Sequence, residues 1–133
     1  MGNTIDCETI APGQYLSRVA TRAHALTSDQ PPPESADAGP NPHDLFDAAL
    51  AACKVETAIF YAKRHDIPLE RVEAHVERDN THEREGRYGL TVRLAFHGPL
   101  TDEQRKKIYD AIQRCPIHKL MTTAEIEIAT APL

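Results

Sequence analysis

The chain is poor in aromatic residues and in cysteine. It has no tryptophan, 5% aromatic residues and three cysteines in 133 residues. An odd number of cysteines without close spacings excludes the disulfide framework of a small secreted domain and favours reduced thiols, so we predict a cytoplasmic protein. Hydrophobic residues make up 41% of the chain, which is enough for a core of aliphatic and small side chains without a metal or a disulfide. We therefore predict a single domain over residues 1–133.

Long apolar runs and clusters of positive charge are also missing. No run reaches the roughly 20 apolar residues of a membrane-spanning helix, and residues 1–11 lack the basic and then apolar pattern of a secretory leader. The formal net charge is −5, which would repel a phosphate backbone, and no stripe of lysine or arginine interrupts it. We therefore expect neither a membrane nor a nucleic acid as a partner.

The commonest catalytic motifs are absent as well. The sequence contains no glycine-rich phosphate loop, no GxSxG serine motif and no HExxH metal motif. Of the seven histidines only His118, three residues after Cys115, has the spacing of a metal-ligand pair, and no second pair completes a zinc site. We predict neither a metal nor a cofactor.

Residues 14–42 divide into strands and a proline-rich loop. Apolar and polar residues alternate roughly over residues 14–28, which predicts one or two short strands. Residues 28–42 hold five of the ten prolines, so this segment cannot form a helix or a central strand. In so short a chain we expect a functional loop or a mobile flap here rather than a domain linker.

A helix is predicted from Pro42 to about His65. Asn41 suits the N-cap, Pro42 suits the first helical position, and Asp44 places negative charge in the first turn. Two adjacent apolar stripes follow at helical spacing, formed by Phe46, Leu50, Cys53 and Phe60 and by Leu45, Ala49, Ala52 and Ile59. One layer of this chain cannot cover so wide an apolar arc. We expect a two-fold homodimer to cover it, the alternative being a monomer whose sheet wraps the helix.

A hairpin, a second helix and a final strand are predicted beyond this helix. Alternation over residues 72–76 and 88–96, with a polar turn through Gly86, indicates a long hairpin with one apolar and one solvated face. Thr101 and Gln104 have capping-box spacing at the start of the second helix. Pro116 should interrupt that helix and begin a short new one. Residues 125–128 are predicted to form a strand.

Cys53 and Cys115 are the residues best suited to chemistry. Each lies on the apolar side of a predicted helix, so the two thiols could meet across the fold and cycle with a disulfide. Cys115 would also stand at the start of the short helix, where the helix dipole lowers a cysteine pKa. The alternative for both is a buried thiol that only packs as a small hydrophobic side chain. Cys7 is expected to be an incidental thiol.

Two segments around these cysteines carry a family resemblance. They are Gly39-Pro40-Asn41-Pro42-His43-Asp44-Leu45-Phe46-Asp47-Ala48-Ala49-Leu50-Ala51-Ala52-Cys53 and Cys115-Pro116-Ile117-His118-Lys119-Leu120. They resemble the first and second cysteine motifs of the OsmC/Ohr family, the osmotically inducible and organic hydroperoxide resistance proteins. The order of helix, hairpin and helix between them also matches. The loop over residues 29–32 is more similar to a less characterised OsmC-like branch of this family.

The resemblance implies an α+β, OsmC-like fold in which two chains intertwine as a homodimer, with two central helices packed on antiparallel sheets. It also implies a thiol peroxidase of the oxidative stress response that removes organic hydroperoxides or hydrogen peroxide. Cys53 would attack the peroxide and become a sulfenic acid, and Cys115 would condense with it to a disulfide. An external dithiol, in this family often a lipoyl group, would reduce the bridge, and no metal or flavin is needed.

Further site residues are implied by the peroxidase branches of the family. There a carboxylate ten residues before the first cysteine holds an arginine that steadies the thiolate. In this chain that position is His43 and the neighbouring carboxylate is Asp44. Arg18 and Arg22 lie in the region that supplies the arginine. The resemblance thus implies catalytic roles for Asp44 and for Arg18 or Arg22 beside the two cysteines.

Two classes of function stay open. The first is the cysteine-based peroxidase described above. The second is a non-enzymatic OsmC-like protein whose pocket binds a small apolar ligand or senses oxidant. An activating charge near Cys53 would separate the two classes, because a thiol without one stays mostly protonated at neutral pH.

Overall fold

The computed structural model describes residues 3–133 and divides the chain into two compact units. The first unit ends at Phe46 and the second is Asp47–Leu133. Within these described residues, three α-helices and two antiparallel sheets give the predicted α+β class. The single domain over residues 1–133 stays a prediction.

The first unit contains a three-stranded antiparallel sheet. Its strands are β1 (Asp6–Thr9), β2 (Ser17–Thr21) and β3 (His24–Ser28), in the order β1-β2-β3. The prediction of one or two strands before residue 28 is confirmed for β2 and β3. Strand β1 was not predicted because its four residues, Asp-Cys-Glu-Thr, are all exposed and show no apolar alternation. It forms by pairing with β2, in a register that sets Cys7 opposite Val19.

The proline-rich segment folds back onto strand β3. Asp29 is buried, and its carboxylate accepts a hydrogen bond from the backbone N–H of Ala38 at 2.9 Å. The hydroxyl of Thr27 donates to the carbonyl oxygen of Ala38 at 3.1 Å. The backbone of Gly39 passes so close to Thr27 that a Cβ atom there would lie 2.4 Å from its carbonyl oxygen. The segment contains neither helix nor strand, as predicted, and glycine is required where it contacts β3.

The long helix α1 is Pro42–Arg64. At its start the backbone N–H of Asp44 donates to the side-chain oxygen of Asn41 at 2.8 Å, and the carboxylate of Asp44 accepts from the N–H of Asn41 at 3.0 Å. This reciprocal cap confirms the predicted start. The basic residues Lys63 and Arg64 occupy the last turn, where they complement the negative end of the helix dipole.

The second unit continues from α1 into a hairpin. Strands β4 (Arg71–Asp79) and β5 (Gly89–His97) pair antiparallel over nine residues each, with the short 3-10 helix Glu83–Glu85 in the turn. The apolar side chains of both strands share the partly buried face, as the alternation predicts. Gly98 ends the hairpin at a φ of 141°, a backbone conformation that disfavours other residues.

Helices α2 (Asp102–Ile112) and α3 (Pro116–Thr122) complete the unit. Thr101 and Gln104 form the predicted capping box. The core is small and aliphatic apart from one aromatic ring, and consists of Ala58, Phe96, Ile108 and Ile112. It joins α1, β5 and α2, and Cys115 follows directly at the junction of α2 and α3.

One of the predictions of secondary structure is wrong in this unit. The expected strand over residues 125–128 is irregular chain, with Ile126 and Ile128 exposed at 63% and 85%. A strand needs a neighbour to share its hydrogen bonds, and no described strand of this chain pairs with it. Most of the two apolar stripes of α1 stays uncovered within this chain, since Leu50 is buried but Ile59 and Phe60 are exposed. The buried positions are Asp47, Leu50, Lys54, Ala58 and Ala62.

Candidate functional site

Cys53 and Cys115 both belong to the second unit, and their surroundings differ. Cys53 lies in the middle of α1, is half-buried, and has its Sγ atom 3.9 Å from the hydroxyl oxygen of Thr57. Cys115 is fully buried and forms the N-cap of α3, directly before Pro116. Its backbone is extended, with φ −62° and ψ 144°, because a proline disfavours helical geometry in the residue before it. The predicted restart of the helix at Pro116 is confirmed.

The two thiols are close enough to interact. Burial raises the pKa of the Cys115 thiol above its ordinary value, and the neighbouring Cys53 thiol raises it further. The backbone amide of His118 and the charge of Lys54 lower the pKa of Cys115, but they do not outweigh burial. The expected lowering by the helix start is therefore wrong in its net direction. The physical reason is that a thiolate loses its hydration in a buried site.

All three cysteines are free thiols. Cys7 lies on strand β1 of the first unit and is exposed. In the described residues, no group of three or more His, Cys, Asp or Glu side chains is placed to hold a metal ion.

A buried lysine adjoins the cysteine pair. Lys54 is 3% exposed, and its Nζ atom lies 2.8 Å from the carbonyl oxygen of Ile112 and 2.8 Å from Nδ1 of His118. Sequence reasoning missed this residue because a charged side chain on a helix is normally assigned to the solvent. A signal was present, since Leu50, Lys54 and Ala58 follow one another at a spacing of four residues. A cation between two apolar positions of one helical stripe indicates a buried charge.

A second buried charge on α1 was also missed. The carboxylate of Asp47 accepts a 2.6 Å hydrogen bond from Nε of Arg78 and a 2.8 Å hydrogen bond from the hydroxyl of Tyr88. Burial raises the pKa of Tyr88, and the neighbouring Asp47 carboxylate raises it further. The three side chains tie helix α1 to strand β4, through Arg78, and to the residue directly before β5, through Tyr88. They fix the helix that carries Cys53 at a point two turns before it.

The other predicted site residues lie in the first unit. Asp44 is in the first turn of α1, where its carboxylate caps the helix, and His43 precedes it. Arg18 is an exposed residue of β2, and Arg22 lies in the turn between β2 and β3 with a positive φ of 51°. The catalytic roles of Asp44, Arg18 and Arg22 stay predictions.

None of the helices in residues 3–133 is both long enough and apolar enough to cross a membrane.

The order of elements, the dithiol and the two cysteine segments define a class of thiol-bearing α+β proteins, and comparison with known proteins identifies the family. The model of the OsmC-like proteins matches residues 34–131. The chain therefore belongs to the OsmC-like protein family, and the resemblance to OsmC/Ohr proteins is confirmed.

Several solved structures have the same fold. The OsmC-like protein of Mycoplasma pneumoniae is 23% identical with a TM-score of 0.72, and the match covers 92% of this chain and 90% of that chain. The organic hydroperoxide resistance protein OhrB of Bacillus subtilis is 23% identical with a TM-score of 0.62, covering 92% of each chain. An organic hydroperoxide resistance protein OsmC of Legionella pneumophila is 24% identical with a TM-score of 0.60, covering 90% of each. No curated protein sequence matches this chain.

Proposed function

We propose that this protein is a thiol peroxidase that reduces organic hydroperoxides or hydrogen peroxide. The observation that carries the proposal is the interaction between the thiols of Cys53 and Cys115, which lie 62 positions apart in the sequence. Membership of the OsmC-like family and the similarity to organic hydroperoxide resistance proteins of Bacillus subtilis and Legionella pneumophila support the same chemistry. The free thiols suit the cytoplasm, where they stay reduced.

The first step is attack by Cys53 on the peroxide. The Cys53 thiolate takes the outer oxygen, the O–O bond breaks, and the remaining alkoxide or hydroxide takes up a proton and leaves as an alcohol or as water. The sulfur is thereby oxidised by two electrons to a sulfenic acid. Cys53 suits this step because it is only half-buried and peroxide has access to it, whereas Cys115 is fully buried and its pKa is raised.

The second step joins the two sulfurs. Cys115 attacks the Cys53 sulfenic acid, an S–S bond forms, the S–O bond breaks, and water leaves. An external dithiol, such as a lipoyl group, then reduces the bridge by two electrons through a mixed disulfide and is itself oxidised.

A set of cysteine variants tests this cycle. Cys53→Ser should abolish peroxide consumption, whereas Cys115→Ser should allow one turnover and leave a sulfenic acid on Cys53 that dimedone traps. Cys7→Ser is the matched control and should behave as the unaltered protein. Peptide mapping after peroxide treatment should find a bridge between Cys53 and Cys115 within one chain. A bridge to Cys7, or a dimedone adduct on Cys115 with turnover retained in Cys53→Ser, would contradict the assignment.

The arginine partner of Cys53 is proposed to be Arg18 or Arg22. A nearby opposite charge favours a thiolate by roughly tenfold or more, and the greater nucleophilicity of the more basic thiolate offsets the loss of that charge by about threefold. One of the variants Arg18→Ala and Arg22→Ala should therefore slow the attack on peroxide by roughly threefold or more. The other variant then serves as its control. Equal, unchanged rates in both variants, with no rapid sulfenic acid formation, would favour the non-enzymatic alternative, a protein that binds a small apolar ligand or senses oxidant.

We also propose that a second copy of the chain covers the exposed side of α1. Ile59 and Phe60 are exposed there, and Ala49 and Ala52 leave room for a close approach of another backbone. The exposed isoleucines of the C-terminal tail would gain a neighbouring strand in an intertwined dimer. Light scattering at micromolar concentration tests this, and a monomeric mass would contradict it.

A further inference from the structure

Lys54 bridges the two helices that meet at Cys115. Its Nζ atom is 2.8 Å from the carbonyl oxygen of Ile112, at the end of α2, and 2.8 Å from Nδ1 of His118, in the first turn of α3. Ile112 precedes Cys115 by three residues and His118 follows it by three. One ammonium group thus fixes both sides of the turn that presents the Cys115 sulfur.

The two hydrogen-bond partners of this ammonium group carry no negative charge. A carbonyl oxygen is neutral, and Nδ1 of His118 accepts a hydrogen bond only when the imidazole is neutral. Among residues 3–133, no Asp or Glu carboxylate forms a salt bridge with Lys54. Buried charges are normally paired, because an unpaired one loses its hydration without gaining an opposite charge.

The cysteine thiols are the nearby groups that can become anions. Lys54 follows Cys53 directly on α1, and its positive charge acts on the Cys115 sulfur. A thiolate at Cys115 would therefore be the missing counter-charge. It is needed at one moment only, when Cys115 attacks the sulfenic acid on Cys53.

We propose that Lys54, held by His118, is a positioning residue for disulfide formation that orients the turn at Cys115 and stabilises the negative charge on its sulfur during attack. The inference rests on the proposed peroxidase cycle. In the step concerned, the S–S bond forms between Cys115 and Cys53, the S–O bond of the sulfenic acid breaks, and the Cys115 proton joins the departing hydroxide to give water. Lys54 is neither oxidised nor consumed.

The decisive variant is Lys54→Met, which removes the charge and keeps a similar shape. In a protein whose only thiol is Cys115, made with Cys7→Ser and Cys53→Ser, the pH profile of Cys115 alkylation should move to higher pH. Loss of one neighbouring charge corresponds to about a tenfold lower thiolate population, which the greater nucleophilicity of the more basic thiolate offsets by about threefold. Disulfide formation in the protein with all three cysteines should therefore slow by roughly threefold or more.

Two controls separate this role from a purely structural one. Lys63→Met removes an exposed lysine of the same helix and should leave the profile unchanged. Lys54→Arg keeps the charge and should restore most of the alkylation profile. A Lys54→Met protein that melts at lower temperature but keeps the alkylation profile would overturn the proposal.

The alkylation experiment needs no peroxide, so it distinguishes failure of this inference from failure of the peroxidase cycle. A shifted profile without any peroxide consumption would refute the cycle and the disulfide-forming role, and would leave only the charge interaction. If Lys54→Met does not fold, His118→Phe decides the question, because it releases Nζ from one of its two anchors. The alkylation profile of His118→Phe should then move to higher pH, but by less than the shift expected for Lys54→Met. An unchanged profile would overturn the proposal.

Discussion

The two sides of helix α1 invert the usual distribution of side chains. The side that packs within this chain carries a carboxylate and an ammonium group, Asp47 and Lys54, among leucine and alanine. The opposite side leaves Phe60 exposed at 62%, with the guanidinium of Arg64 over its ring. Charges are normally placed outside and aromatic rings inside.

The difference indicates that the two sides serve separate purposes. Each buried charge has partners: Asp47 is bonded to Arg78 and Tyr88, and Lys54 to the turn around Cys115. Buried polar groups are retained where they fix a geometry that apolar packing would leave loose. The exposed side offers apolar area and small residues, which suits association with a second chain.

The largest expected effect is on the exposed side. Phe60→Asp places a charge where the proposed dimer buries an aromatic ring, so the dissociation constant of the dimer should rise by about a hundredfold, ~3 kcal/mol. Light scattering over a dilution series measures it. Gln113→Asp, at an exposed position of the second unit, is the control and should keep the dimer. If Phe60→Asp dimerises as tightly as the control, the interface does not include this side of α1.

On the buried side, Asp47→Ala should lower the free energy of unfolding by about 2 to 4 kcal/mol. The change removes the partly buried ion pair with Arg78 and the hydrogen bond from the hydroxyl of Tyr88, and the partial exposure of Arg78 reduces the loss. Denaturant unfolding measures it, with Glu56→Ala on the exposed side of the same helix as control, expected within about 0.5 kcal/mol of the unaltered protein. Equal losses in the two variants would remove the distinction between the two sides.

The raised pKa of Cys115, which lies against the buried side of α1, predicts how stability and alkylation depend on pH. The pKa of this thiol is higher in the folded chain than in the unfolded chain, because burial disfavours the thiolate. The contribution of the protonated Cys115 thiol to the free energy of unfolding is therefore fully present below the ordinary thiol pKa. It is lost as the pH rises from that value through the raised pKa of the folded chain. Alkylation of Cys115 at neutral pH should be slower in the folded protein than in denaturant. Equal rates at every pH would contradict burial of the thiol.

The smallest expected effect concerns the N-terminal cap of α1, which precedes both the buried charges and the exposed Phe60. Asn41→Ala and Asp44→Ala each remove half of the reciprocal cap, so each should cost about 1 kcal/mol of stability. Only Asp44→Ala should also slow peroxide consumption, if its carboxylate has the predicted catalytic role. Equal peroxide rates in the two variants would reduce Asp44 to a capping residue.

The sequence predicted those parts whose signals are local. The cap at Asn41, the capping box at Thr101 and the restart at Pro116 depend on residues within one helical turn, and all three were confirmed. The buried charges of α1 were not predicted, because hydrophobic periodicity does not detect charged residues whose partners lie far along the chain. The partners of Lys54 lie about sixty residues away in sequence. Strand β1 also depends on a pairing rather than on its own residues.

The position of Cys115 at the junction of α2 and α3 has a consequence for the lifetime of the protein. A bridge from Cys115 to Cys53 would close a loop of roughly 60 residues that contains the hairpin and α2. Closing a loop of that length lowers the entropy of the unfolded chain and so raises the free energy of unfolding by about 4 kcal/mol. The oxidised chain would then open less often than the reduced chain and present fewer cleavable segments to proteases. Protein that has been exposed to peroxide would thus be degraded more slowly than reduced protein.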